Sequence, residues 1–180
     1  MQPKIVDKEP IILAGVSFFG DPFAESGGWT EENEIGRLWQ RFFEAAAGTG
    51  LACEDPEDAS PILEVHVEGP ESAARGHREV FIGVQIDTLD EVPVEMLVKV
   101  LPAATYAVFT FRGARITSDW SRMVTQWMLE ERYRSAYPFG FQLYDSRFAG
   151  LDQIESSEID VYIPVVRLER AADVSTDSDR

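Results

Sequence analysis

The chain has 180 residues, enough for one domain or two small ones sharing a sheet, and its 44% hydrophobic content permits a real core. A formal net charge of −16, from 32 acids against 16 bases, repels phosphate backbones and argues against direct nucleic-acid binding. The single cysteine, Cys53, excludes an intrachain disulfide and reads as a cytoplasmic context, while two histidines without cysteine-rich spacing argue against a metal. No cofactor-binding loop of the GxxxxGK or strand-linked GxGxxG type occurs, the N-terminus lacks a signal-peptide pattern, and no apolar run approaches the ~20 residues of a membrane span.

Residues 11–20, IILAGVSFFG, alternate as a strand, with Ile12, Ala14, Val16 and Phe18 on one face and Leu13, Gly15, Ser17 and Phe19 on the other. The second face is only partly polar, so cover on both sides is expected. The loop DPFAESGGW follows, and its Gly27–Gly28 pair either gates a cleft or simply turns the chain. EENEIGRLWQRFFEAAAG carries the helical stripe Ile35, Leu38, Trp39, Phe42 and Ala46, with Thr30 as cap, Glu31 and Glu32 in the first turn and Gly48 at the end. Cys53 lies in the next loop without a basic neighbour to activate it.

PILEVHVE at 61–68 sets Leu63, Val65 and Val67 against Glu64, His66 and Glu68. The polar row reads as a solvated strand face, with a His–Glu base pair for hydrolysis as the alternative. A turn, EGPESAARGH, leads to the strand EVFIGVQI at 79–86, where Gly83 implies a close approach or a bend. ATYAVFTFRG at 104–113 is a further strand. WSRMVTQWMLEERY then reads as a helix capped by Thr117 or Ser118, with Trp120, Met123, Val124, Trp127 and Met128 as its stripe. YPFGFQLYD turns into a short strand. The last strand, 158–168, sends Ile159, Val161, Ile163 and Val165 to a core and Glu158, Asp160, Tyr162 and Pro164 the other way. The tail 171–180 is polar, acidic and expected to be disordered.

IILAGVSFFG overlays ATYAVFTFRG at an offset of 93, and EVFIGVQI overlays DVYIPVVR with Phe81 on Tyr162. Each half therefore reads strand–helix–strand–strand, with pseudo-repeats at about 3–87 and 98–168 inside one domain, 1–170. The expected fold class is α+β: the duplicated module forms an antiparallel sheet with helices and a central cleft. The row opposite the core would line that cleft with Phe19, Phe81, Tyr106, Tyr162 and Glu158, an aromatic space holding a carboxylate.

PKIVDKEPIILAGVSFFG, EIGRLWQRFF, VFIGVQI, PAATYAVFTFRG, DWSRMVTQWMLEERY and EIDVYIPV, in this order over residues 3–168, resemble the GyrI-like small-molecule-binding domain. The same domain serves as the effector-binding domain of AraC-type and multidrug-responsive regulators. The resemblance implies a pocket acid at the Glu that opens the last strand, here Glu158. It also implies, through a branch that resembles hydrolases of cyclopropane-bearing DNA-alkylating natural products, a role for a first-helix tryptophan at Trp39. No helix-turn-helix flanks the matched region, so a regulatory role implies a separate DNA-reading partner.

Three functions compete. A stand-alone sensor or drug-sequestering protein would bind a hydrophobic or cationic aromatic molecule through Glu158, Trp39, Phe19, Phe81, Tyr106, Trp120 and Tyr162. A hydrolase would use Glu158 to orient or activate water, with Tyr106 and Trp39 assisting. A gyrase-inhibitor-like interaction module would use its acidic surface against a basic partner. No cofactor, metal or membrane partner is implied; a homodimer through exposed sheet edges is compatible with the sequence.

Overall fold

The computed structural model describes residues 1–169 apart from Ser26, Trp29, 52–59 and 70–71. The expectations for Cys53 and for the tail at 171–180 lie outside the described residues. Alternating sequence becomes strand where expected, and four short elements appear that its patterning left unmarked. In chain order the elements are β1 Lys4–Lys8, β2 Ile11–Gly20, α1 Glu34–Ala46, β3 Ile62–Val67, α2 Ser72–Arg75 and β4 Arg78–Gln85. They continue with β5 Leu97–Leu101, β6 Ala104–Arg112, α3 Ser121–Glu130, β7 Tyr133–Ser135, β8 Phe139–Tyr144 and β9 Glu158–Arg167. The unmarked ones, β1, α2, β5 and β7, are too brief to show a period.

The helix ends differ in detail from the sequence reading. Asn33, not Thr30, caps α1: its Oδ1 accepts from the Gly36 N–H at 2.9 Å, while Thr30 closes only a local turn with Glu32. Gly48, at φ 74°, takes the left-handed position just beyond the helix. Helix α3 starts at Ser121 without a side-chain cap from Thr117 or Ser118. It stops before Tyr133, because Arg132 turns left-handed at φ 62°.

The fold is α+β. All strand pairs are antiparallel, in the order β1-β6-β9-β8-β3-β4-β2-β5, with β7 on the end of β9. Read from either edge, this order is a palindrome of the duplicated module. The first strands are exchanged: β1 pairs with β6 of the second half, β5 with β2 of the first. Moving 93 residues along the chain turns Lys4↔Val108 into Leu97↔Gly15, and every other β1–β6 pair likewise into a β5–β2 pair.

The registers then fix the axis. One row of partners crosses the sheet as Val16–Ile82–Glu64–Gln142–Val161–Phe109. Val16 and Phe109 are equivalent by the offset, so Ile82 matches Val161 and Glu64 matches Gln142 across the pseudo-two-fold. The sequence overlay of Phe81 on Tyr162 is thus two residues out of register. It keeps the same face, because side chains repeat every two residues.

Two apolar clusters lie under the helices. Val16, Ile82 and Val84 pack with Leu38 and Phe42 of α1; Phe109, Phe111 and Val161 pack with Val124 and Trp127 of α3. A third cluster occupies the other sheet face and includes no described helix residue. It joins Val6 of one edge strand to Leu101 of the other and buries Leu13, Val65 and Tyr106 completely, which requires the sheet to curl onto itself.

Candidate functional site

Each helix covers its own half of the sheet, so the strip along the pseudo-axis is left open on the helix face. The floor of that strip is β3 and β8, and above it lies a cleft of about 1370 Å³. Alternation along β3 sends Ile62, Glu64 and His66 into the cleft; along β8 it sends Gly140, Gln142 and Tyr144. Gly140 is the Cα partner of His66, and a Cβ there would lie 3.0 Å from Ile163 Cδ1, so the missing side chain makes room for Ile163.

Glu64 is the centre of this floor. It is only 4% exposed, yet it is held by three side chains. Trp39 of α1 donates its Nε1–H to Glu64 Oε2 at 2.6 Å, His66 Nε2 lies 2.7 Å from Oε1, and Gln142 donates from Nε2 at 3.4 Å. Tyr144 donates its hydroxyl to Gln142 Oε1 at 2.9 Å. Burial, and after it the nearby charge of Glu64, pushes the Tyr144 phenol well above its ordinary pKa, so it stays a neutral donor. A buried carboxylate tolerates removal from water only when it is bonded in this way.

The walls are aromatic. Trp39 meets Tyr144 edge-on at 4.9 Å, Tyr144 meets Phe148 edge-on at 4.9 Å, and Trp39 lies 5.8 Å from Phe43. Trp120, packed 5.8 Å from Phe111, faces the cleft from the other side. Among the described lining residues the acids Glu31, Glu64, Glu68, Asp119, Asp145 and Asp152 meet a single Arg or Lys, Arg78. Such a concave, ring-walled, electronegative space attracts flat or bulky cations.

Of the residues singled out in the sequence, Trp39 and Trp120 line this cleft and the other five do not. Glu158 is on the opposite face, bonded to Arg112 and Arg147. Arg147 and Asp160, 2.7 Å apart, line a smaller depression of about 570 Å³ there with Glu158, and Arg147 also reaches Asp145 of the main cleft at 2.7 Å. Burial would raise the Asp145 carboxyl, but the Arg147 hydrogen bonds outweigh it and hold it below the usual range.

Tyr106, Phe81 and Tyr162 do gather, but as filling for the curled face: Phe141 stacks on Tyr162 at 4.5 Å, and Tyr106 packs on both. Burial, then Tyr137, pushes the Tyr106 phenol up to about 12, and its hydroxyl has no partner among the described residues. Lys8 over Tyr162 and Lys99 over Phe81, each at 5.3 Å, cover the ends of this cluster. Phe19 is 71% exposed at the end of β2, edge-on to His77.

The expectation that the Glu158 row lines the cleft is therefore corrected. The space between the halves opens on the helix face, where two separated helices leave a gap, whereas the curled face is closed by its own rings. Sequence reasoning passed over Gln142, Tyr144 and Arg78, and preferred a solvated strand face for Glu64 and His66 with a His–Glu pair as the alternative. The available signal was the acid–His–acid row of β3, a strand that duplication places at the centre of the sheet rather than at its edge.

The family of integron-associated effector binding proteins, Cass2, matches residues 4–165. The chain matches no curated protein sequence. Among solved structures it is similar to SAV2435 bound to tetraphenylphosphonium, at 19% identity and TM-score 0.64, covering 92% of this chain and 94% of that one. It is also similar to an integron cassette protein from the mobile metagenome of Vibrio cholerae, at 15% identity and TM-score 0.61, covering 92% and 96%. A hydrolase from Listeria innocua is similar at 13% identity and TM-score 0.56, covering 92% of each chain. No described helix is long and apolar enough to cross a membrane.

Proposed function

The chain belongs to the integron-associated effector-binding proteins, within the GyrI-like effector-binding family, and from that premise we propose that it binds amphipathic aromatic cations in the helix-face cleft with Glu64 as the counter-charge. The observation that carries this reading is a carboxylate 4% exposed, on the pseudo-axis, between aromatic walls. Trp39 and Gln142 hold Glu64 as neutral donors, which leaves its negative charge available to a ligand. Covering about 300 Å² of apolar ligand surface supplies roughly 7 kcal/mol before ordering costs, so the rings contribute affinity and the carboxylate selects charge. The related fold of SAV2435 holds tetraphenylphosphonium, which supports the ligand class.

The test compares tetraphenylphosphonium with tetraphenylborate, ions of like shape and opposite charge, by calorimetry or by quenching of tryptophan emission. The wild-type protein is expected to prefer the phosphonium, and Glu64→Gln to weaken phosphonium binding by about tenfold or more, the size of a lost charge-assisted contact. Equal affinity for the two ions would remove the reading.

The Glu64–His66 contact of 2.7 Å favours a second reading, hydrolysis of a strained electrophilic ring. Glu64 and His66 would orient and deprotonate a water in the cleft, taking the part the sequence assigned to Glu158. Mass spectrometry of a cyclopropane-bearing alkylator separates the two readings. Hydrated product over many turnovers, lost in Glu64→Gln, indicates an enzyme; intact ligand held one to one indicates a binder.

A further inference from the structure

The cleft has a second polar end, at Arg78. This residue opens β4 beside Glu68, just past the end of β3; its Nη1 lies 3.4 Å from Glu68 Oε1. The helix-face row of β3 runs Ile62, Glu64, His66, Glu68, so Arg78 stands four residues, about 13 Å of strand, from the central carboxylate.

The guanidinium is fixed but poorly satisfied. It sits 6.0 Å over the ring of Phe23, which holds it from the loop side. Its Nε is buried and has no hydrogen-bond partner among the described residues. Its ion pair with Glu68 is long, and the Glu68 side chain is 62% exposed, a geometry of little strength in water. A guanidinium carries five donors in a planar fork, and buried donors in native proteins are normally paired. A group that enters the cleft would bond to the Nη edge of the fork, which Glu68 meets only at 3.4 Å. Between Arg78 and Glu64 the cleft floor holds His66 and, beside its Cα partner Gly140, the apolar side chain of Ile163.

We propose that Arg78 forms an anion-accepting subsite of the cleft, so that the preferred ligands are zwitterionic amphipaths with a cationic centre for Glu64, an apolar spacer, and an acidic or strongly accepting group for Arg78. The proposal rests on the reading of the cleft as a ligand site and narrows its ligand class. In the complex the ligand's anionic group displaces Glu68 and takes the fork of the guanidinium, and Phe23 closes over it.

Two styrylpyridinium dyes test it, one with an N-butyl tail and the other with an N-(4-sulfonatobutyl) tail, titrated by fluorescence. Wild-type protein is expected to bind the sulfonate dye more tightly. Arg78→Gln should lower the ratio of the two affinities by about tenfold, one charge-assisted contact. Glu68→Gln, which frees the fork, should raise the ratio. Arg78→Lys, which keeps the charge and loses the planar fork, should fall between. If Arg78 only anchors the Phe23 loop, its variants weaken both dyes equally and the ratio does not move; that result overturns the subsite and leaves the cation site standing. If neither dye binds the wild-type protein, the cleft reading falls and the subsite with it.

Discussion

Replacing Gln142 by Glu puts a second carboxylate opposite Glu64 on the pseudo-axis. The two residues are Cα partners, 4% and 5% exposed, and the Gln142 amide now lies 3.4 Å from Glu64 Oε1. Two charges ~4 Å apart at an effective dielectric of ~20 repel by about 4 kcal/mol. The escape is to protonate one carboxyl, which from an ordinary Glu pKa near 4.3 costs about 3.7 kcal/mol at pH 7 but about 1 kcal/mol at pH 5. Both routes set the penalty at roughly 3–4 kcal/mol at neutral pH.

The sign follows from proton counting. The folded pair has a raised pKa and retains a proton that the unfolded chain releases, so stability relative to wild type is preserved at low pH and lost as pH rises from the unfolded value towards the folded one. For a domain of this size each kcal/mol moves Tm by ~2–4 °C. Thermal melts of Gln142→Glu should therefore fall about 6–16 °C below wild type at pH 7 and only about 2–4 °C below it at pH 5. Gln142→Met, a neutral control, should show a gap that does not vary with pH. A gap for Gln142→Glu that is the same at pH 5 and pH 8 would mean that the two side chains do not face each other, and the axis drawn through them would be wrong.

Two further outcomes are expected. Glu158→Gln should leave tetraphenylphosphonium affinity within about twofold of wild type, because its carboxylate is bonded to Arg112 and Arg147 on the far face; a loss as large as that of Glu64→Gln would return the pocket acid to Glu158. In Gly15→Ala, the new Cβ would lie 2.0 Å from the Ile82 carbonyl oxygen and 2.6 Å from the Cα of Gly83, its partner across β2 and β4. Forcing these strands apart should cost about 1–3 kcal/mol, read as a Tm lower by several degrees, and an unchanged Tm would show that the close approach is not there.

Much of the fold was legible along the chain, because period is a local property. Val80, Ile82 and Val84 on one side of β4, or Leu38 and Phe42 on α1, announce their faces through spacing alone. The offset of 93 holds also for the exchange of β1 and β5, strands the sequence reading left unmarked, since equivalent strands find equivalent partners. Gly83 signalled a close approach, and the β2 backbone makes it, with the Ala14 carbonyl oxygen 2.4 Å from where a Cβ would stand.

Which face holds the cleft was decided only in three dimensions. Both faces of β2, β3 and β9 carry buried residues, so alternation cannot say which side is packed shut and which stays open. Curling of the sheet closed the side with Tyr106, Phe81 and Tyr162; the spacing of α1 and α3 opened the other. Glu64 looked like a solvated strand carboxylate for the same reason. Its burial depends on β4, β8 and α1 converging from residues far along the chain, and no window of sequence contains them together.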